Sequence, residues 1–327
     1  MQSTLDVLLS LTGDEGQIKS VFHGTGITKQ VLRIAVNFEE SKASPSNQSN
    51  IKAYQILINL TEHDPIIQEL VEINCAPRIA EHVRKLYERY PKKATSKEND
   101  DTLELAIATL GNITRFYIGM DSLLELSKAQ ELHCVNFLKF IEIYLKGGND
   151  SRLDYMAAVI ANCCVKPEVK KAFRFESPEA LKVLVKNLPS TSPIRMVYTL
   201  MMMENLLIDK TEMEWVINSK AYLQCLYASI LLCAGARDAA FISYWIQKEV
   251  QIQIVPEVED KFKVLSEEHA NNIRRHALEC LIAMASNEAV KIEMEKYKTS
   301  SVVSVLLEKN KVKELDENLV LLNSKLV

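Results

Sequence analysis

Glycine and proline are scarce in this chain of 327 residues, which contains nine of each. Average usage would give about 12% for the two residues together, and the turns of β-sandwiches and barrels depend on such residues. Their scarcity argues against a turn-rich β fold and favours helices. The apolar fraction of 47% suffices for a long core, although one round core is near its practical limit at this length.

The chain also lacks a charge excess and an obvious targeting segment. Its 39 basic and 43 acidic residues give a net charge of −4, so there is no basic footprint for nucleic acid. Residues 1–6 lack the features of a secretory signal, and the most apolar stretch, residues 221–236, is too short to span a bilayer. The seven cysteines include no Cys-x-x-Cys pair, which is typical of reduced, buried thiols. We therefore expect a cytoplasmic protein that binds neither nucleic acid nor membranes.

Motifs for catalysis and cofactor binding are missing as well. The glycines of Gly24-Thr25-Gly26 are not followed by the Gly-Lys-Ser/Thr of a phosphate loop. The histidines show neither a His-Glu-x-x-His pair nor zinc-finger spacing, and no Gly-x-Ser-x-Gly nucleophile elbow occurs. We expect a protein that is not an enzyme and has no cofactor and no metal.

What the chain does contain is a repeated closing word, in which an apolar, helix-like run ends on small or polar residues. The word recurs roughly every 50 residues for five copies, and the sixth follows after a longer gap. The six copies are Leu8-Leu9-Ser10-Leu11-Thr12, Leu57-Ile58-Asn59-Leu60-Thr61, Leu110-Gly111-Asn112-Ile113-Thr114, Ile160-Ala161-Asn162-Cys163-Cys164, Met203-Glu204-Asn205-Leu206-Leu207 and Ile282-Ala283-Met284-Ala285-Ser286.

This period predicts an all-α fold, an armadillo/HEAT-like α-solenoid of about five to six helical repeats. We expect one domain over residues 1–327, with an irregular insertion around 221–270 and a C-terminal capping helix over 311–327. A capping box at residues 101–104 predicts the start of the helix that carries the third word. Solenoids usually bind proteins rather than catalyse reactions, and we expect a monomer.

The asparagines of the repeated word are candidate partner-binding residues. An asparagine amide offers both a donor and an acceptor, which could pair with the backbone of an extended peptide. The alternative is that each asparagine caps its own helix or bonds to an adjacent loop, and the two roles can coexist. The candidate partner-binding residues are Asn59, Asn112, Arg115, Asn162, Asn205 and Arg274.

A family resemblance rests on the order of several short words. Leu11-Thr12-Gly13, the third closing word followed by Arg115, Asn205 followed by Glu214-Trp215-Val216-Ile217, and the block over residues 256–279 that contains Ile273-Arg274 occur in succession. This succession resembles the armadillo-repeat chaperones dedicated to translation elongation factor 2, also called brain protein 16-like. The chain departs from the family pattern at Leu206-Leu207, where two cysteines are usual, and at Met213 and Val255, so it resembles a divergent member.

The resemblance implies a cytosolic, non-catalytic protein without a cofactor. Members of that family hold elongation factor 2 while it folds, in cooperation with general chaperones. The client and the chaperones are implied by the resemblance alone.

Two other binding functions stay open. One is a general armadillo adaptor, but adaptors that capture basic peptides place a tryptophan four residues before each groove asparagine, for cation–π stacking. Here those positions hold Gln55, Ala108, Ala158 and Met201. The other is a nucleotide-exchange factor for a heat-shock ATPase, which the repeat pattern does not exclude.

Overall fold

The structure is a computed structural model that forms two compact units, unit 1 (Met1–Cys163) and unit 2 (Cys164–Val327). It describes residues 2–13, 18–37, 48–90, 96–125, 134–148, 150–173, 188, 192–208, 220–251, 262, 264–309 and 312–326. Within these ranges the regular elements are all helical, as the sequence predicts. None of the described helices has both the length and the apolarity needed to cross a membrane.

Unit 1 consists of helices of very different lengths. They are α1 Gln2–Gly13, α2 Ile18–Val21, α3 Ile27–Ala35, α4 Gln48–Leu60, α5 Asp64–Glu72, α6 Cys75–Arg89, α7 Lys97–Ile113, α8 Tyr117–Leu124, α9 Val135–Gly147, a 3₁₀ turn Ser151–Leu153 and α10 Met156–Cys163.

The helices of unit 1 are arranged as repeats, and each repeat ends in a helix that carries a closing word. These closing helices, α1, α4, α7 and α10, pack side by side in chain order. Within a repeat, α6 packs on α7, and α5 packs on α6. Several apolar residues of α4 and α7, such as Leu57 and Ile107, are completely buried, because each of these two helices packs against a closing helix on either side. This side-by-side stacking is what places the asparagines of successive words on one surface.

Unit 2 also alternates short and long helices. Its elements are α11 Pro167–Lys171, α12 Pro193–Leu207, α13 Lys220–Ala234, a 3₁₀ turn Ala236–Asp238, α14 Ala239–Trp245, a π-helical turn Ile246–Val250, α15 Glu267–Ala285, α16 Glu288–Lys296, α17 Thr299–Lys309 and α18 Lys313–Leu326.

The closing helices of unit 2 are α12 and α15, which pack against each other, and α18 packs against α15. The predicted capping helix is α18, which lies against α15 and buries Leu315, Leu319, Leu322 and Leu326. Helices α13 and α14 occupy part of the region for which we expected an insertion, and the polar segment at 252–261 lies outside the described residues. The single-domain boundaries and the insertion remain predictions.

One predicted helix start is wrong by about a turn. We expected α7 to begin at the capping box of residues 101–104, but it begins at Lys97. Ser96 is the residue that caps it, because its hydroxyl accepts a hydrogen bond from the Asn99 N–H at 3.4 Å. A serine in the extended conformation is a good N-cap, so the helix begins at the polar residues 97–100, ahead of the capping box.

Candidate protein-binding surface

Three of the candidate asparagines lie on consecutive closing helices of unit 1 and make the same contact. The Nδ2 of Asn59 lies 3.3 Å from Thr12 Oγ1, that of Asn112 lies 3.0 Å from Thr61 Oγ1, and that of Asn162 lies 3.2 Å from Thr114 Oγ1. In each case the asparagine donates to the threonine that ends the preceding word. The result is an Asn–Thr ladder that connects α1, α4, α7 and α10.

The threonines determine which end of each amide points at them. Thr12, Thr61 and Thr114 each donate their hydroxyl proton to a carbonyl three or four residues earlier in their own helix, at 2.7–3.2 Å. With its proton used in this way, the threonine oxygen can only accept. The asparagines must therefore present their NH₂ groups, and this leaves Oδ1 on the other side of each amide.

Part of each amide remains available to a partner. Asn59, Asn112 and Asn162 are half-buried, and no described residue donates to their Oδ1 atoms. Asn162 uses its NH₂ group twice, because it also donates to the Gly111 carbonyl at 3.2 Å. Asn59 and Asn112 make one such bond each and keep a second N–H.

The side chains around the ladder define a surface of unit 1 that we call the amide face. It comprises Asn59, Asn112 and Asn162 together with Arg115, which is exposed just beyond α7, and Tyr155, which is 40% exposed just before α10. The small side chains of Ala108 and Ala158 lie one helical turn before Asn112 and Asn162. At these positions the surface therefore has no bulky side chain above the helices.

The first half of α7 makes this surface acidic at one end. Glu104 is half-buried and lies one turn before Ala108. Partial burial raises the pKa of Glu104, and the negative charges of Asp101, Asp100 and Asp154 raise it further. A cation near Glu104 would relieve this repulsion, while Arg115 at the other end of α7 is suited to a carboxylate.

The two remaining candidates belong to unit 2. Asn205 is half-buried on α12. Arg274 was expected to contact a partner, but it is only 4% exposed and its Nε donates to the carbonyl of Ala234 at 3.2 Å. Because the Arg274 side chain is inside unit 2 and satisfies the end of α13, we exclude it from the amide face.

The sequence identifies the asparagines as candidates but not their threonine partners. The second and third words share an Asn-x-Thr spacing in the sequence, and the structure shows why this spacing recurs. The asparagine donates backwards to one repeat, and the threonine two residues later accepts from the next. The sequence segment that contains Glu214-Trp215 lies outside the described residues.

Comparison with solved structures shows the fold. A designed armadillo repeat protein of type YIII(Dq)4CqI superposes with a TM-score of 0.55 at 17% identity, covering 91% of this chain and 99% of that chain. A second designed armadillo repeat protein, in complex with the peptide (KR)4, gives 0.58 at 15% identity, covering 91% and 98%. Computationally designed armadillo repeat proteins for modular peptide recognition give 0.54 at 17%, covering 90% and 98%.

No protein-family model matches this chain, and no curated protein matches it. The structural likeness, at identities below one fifth, therefore concerns the fold and not a client or an activity. It confirms the prediction of an all-α, armadillo-like solenoid.

Proposed function

We propose that this chain is a non-catalytic scaffold whose amide face holds an extended segment of a client protein. The observation that carries the proposal is the Asn–Thr ladder, which orients three amides in the same way on consecutive helices. An ordered amide loses little conformational freedom when a ligand binds, and such preorganisation favours binding. Two of these amides can offer both a donor and an acceptor to the backbone of an extended chain.

The remaining features of the amide face describe the segment that would fit. Ala108 and Ala158 leave room for a backbone to approach the amides. Glu104 favours a basic side chain near the start of α7, and Arg115 favours an acidic one near its end. Tyr155 offers an aromatic surface for an apolar side chain. This mixed chemistry is suited to a specific protein segment and not to a uniformly basic peptide.

The client that we propose is translation elongation factor 2, and the scaffold would act on it as a folding chaperone in the cytosol. The support for this client is the ordered succession of sequence words that resembles the elongation factor 2 chaperones. The armadillo-like fold is compatible with that role. A designed armadillo protein of the same fold is in complex with a peptide. This supports peptide or protein binding in general, but no particular client.

Binding by the amide face can be separated from its structural role with two kinds of variant. Asn112→Ala combined with Arg115→Ala removes groups that would face the client, whereas Thr61→Val removes the ladder bond but keeps Asn112 on the surface. Loss of hydrogen bonds to a partner costs about 1–3 kcal/mol, so the first variant should weaken client binding roughly 5- to 150-fold. Thr61→Val should weaken binding less than the double variant does, because it removes the preorganisation of Asn112 but not the groups that contact the client, and it should lower the free energy of unfolding by about 1 kcal/mol.

The assay is suppression of aggregation when chemically unfolded elongation factor 2 is diluted into buffer containing the full chain. Lys85→Ala, an exposed change on α6, is the matched control, and an unrelated aggregating protein tests client specificity. Equal suppression by all variants would show that the amide face is not the binding surface. Failure of the wild-type chain to suppress aggregation of elongation factor 2 would refute the proposed client.

A further inference from the structure

Unit 2 contains a cluster of three potential metal ligands contributed by two stacked closing helices. Glu204 lies on α12, and His276 and Glu279 lie on α15. The Nδ1 of His276 is 3.3 Å from Glu204 Oε2 and 3.2 Å from Glu279 Oε2. One ligand atom from each of the three side chains lies within 4.8 Å of the others, and all three residues are half-buried.

The two distances from His276 Nδ1 match the edges of a small coordination sphere. Zinc binds imidazole nitrogen and carboxylate oxygen at about 2.0–2.2 Å, and in a tetrahedral site this separates neighbouring ligand atoms by about 3.4 Å. The two separations from His276 Nδ1 are close to that value. We propose that Glu204, His276 and Glu279 form a binding site for a divalent transition metal of the zinc class, with the remaining coordination position taken by water.

The charge of the cluster supports a cation. Glu204 and Glu279 lie close together on either side of the His276 Nδ1 atom, and two carboxylates that share a site in this way repel each other. A divalent cation would neutralise both carboxylates and would remove this repulsion. Because one ligand is an imidazole, zinc or cobalt is favoured over magnesium or calcium, which prefer oxygen ligands.

Arg275 determines the proton arrangement when no metal is bound. Its Nη2 lies 3.3 Å from His276 Nε2, and a guanidinium can only donate. Nε2 is therefore the acceptor, and Nδ1 carries the proton that points to the two glutamates. Metal binding at Nδ1 would require the other tautomer of the neutral ring: the proton leaves Nδ1 and Nε2 takes one up from solvent, with no net release. Nε2 would then donate, so Arg275 would have to turn away. Arg275 is exposed and has room to do so.

This arrangement makes Arg275 an inhibitory neighbour of the site. The change Arg275→Gln removes a positive charge and supplies an amide oxygen that can accept from the Nε2–H of the metal-bound histidine. Partners of this kind in the outer shell typically change metal affinity 10- to 100-fold. Arg275→Gln should therefore raise the affinity by about tenfold or more.

The test is a titration of the full chain, first stripped with a chelator, with Zn²⁺ and with Co²⁺. The wild-type chain should bind one equivalent of Co²⁺ with a d–d absorption spectrum and without a sulfur-to-cobalt charge-transfer band. His276→Ala and Glu204→Gln should each weaken binding by more than about tenfold. His269→Ala, which removes an exposed histidine from the same helix, is the matched control and should bind as the wild type does.

Circular dichroism and thermal unfolding in the presence of chelator check that each variant is folded. Zn²⁺ should raise the unfolding temperature of the wild-type chain and of His269→Ala but not that of His276→Ala. The proposal would be overturned if the wild-type chain bound no Co²⁺ or Zn²⁺, if His276→Ala bound them equally well, or if the spectrum showed cysteine ligation.

Discussion

Arg152 connects three segments of unit 1 through its guanidinium group. Its Nε and Nη2 donate to the two carboxylate oxygens of Asp150 at 3.0 and 2.7 Å, and its Nη1 donates to Asp100 at 2.8 Å and to the Tyr90 carbonyl at 3.1 Å. Arg152 is 5% exposed and Asp150 is 4% exposed. The group thereby joins the end of α6, the first turns of α7 and the loop before α10.

Replacing Arg152 by methionine should be strongly destabilising. Methionine keeps an unbranched apolar chain but leaves the Asp150 carboxylate buried without its counter-charge. Removing one partner of a buried ion pair typically costs about 3–5 kcal/mol, whereas exposed pairs contribute about 0–1 kcal/mol. For a unit of this size each kcal/mol lowers the unfolding temperature by about 2–4 °C, so Arg152→Met should lower that of unit 1 by roughly 6–20 °C.

The assay has to distinguish the two units. Both tryptophans of the chain, Trp215 and Trp245, belong to unit 2, so tryptophan fluorescence does not report directly on unit 1. Hydrogen exchange of α6, α7 and α10 measures the loss in unit 1, and Lys85→Met is the control for an exposed cation. A double change of Arg152→Met and Asp150→Asn should recover part of the loss, because it removes the buried charge. If Arg152→Met lowered the free energy of unfolding by less than about 1 kcal/mol, the reasoning would be refuted, since an exposed ion pair contributes that much.

Three further predictions concern other parts of the fold. Burial lowers the pKa of His82 to about 4, whereas the pKa of a histidine in an unfolded chain is about 6.5. The free energy of unfolding should therefore fall by roughly 3 kcal/mol as the pH drops from 6.5 through 4, and urea unfolding measured over this range should show a smaller fall for His82→Gln. Gly119→Ala should destabilise unit 1 by about 3 kcal/mol or more in urea unfolding, because a Cβ at this position would collide with the Ile113 carbonyl. Gly111→Ala should not destabilise unit 1, because a Cβ there would enter open space. Deletion of residues 313–327 should lower the free energy of unfolding of unit 2 by several kcal/mol, because each buried leucine of α18 contributes about 1.5–3 kcal/mol. Tryptophan fluorescence during unfolding measures this loss, and an unchanged unfolding transition would contradict a capping role for α18.

The sequence predicted the parts of the fold that depend on local periodicity. The closing words recur because each repeat needs one helix that is covered on both sides, and such a helix is apolar around most of its surface. The start of α7 was predicted less accurately. Residues 97–101 are polar, and the capping box inside the helix competes with Ser96 as the signal for the helix start. The first turn of α7 has no apolar side chain whose burial would appear in the pattern.

The contacts that organise the sites depend on residues far apart in the chain. Asn112 pairs with Thr61 from the preceding repeat, and His276 meets Glu204 across 72 residues. No local spacing rule combines such residues into one motif. Arg274 was misplaced because its local pattern was misleading. A basic residue in a polar helical segment is usually exposed, whereas this side chain turns inward and donates to the carbonyl of Ala234.

The structural role of the asparagines is compatible with the binding role that we propose, because each role uses a different part of the amide. The ladder needs an NH₂ group that points to the preceding repeat and a threonine that accepts, and it leaves Oδ1 for a client. The chain limits how far this arrangement extends, since the fourth and fifth words carry Cys164 and Leu207 where the ladder has threonine. Stacked helices lie about 8–10 Å apart, so three consecutive amides span about 16–20 Å. An extended chain advances about 3.3 Å per residue, and a client segment of about six residues would therefore reach all three asparagines.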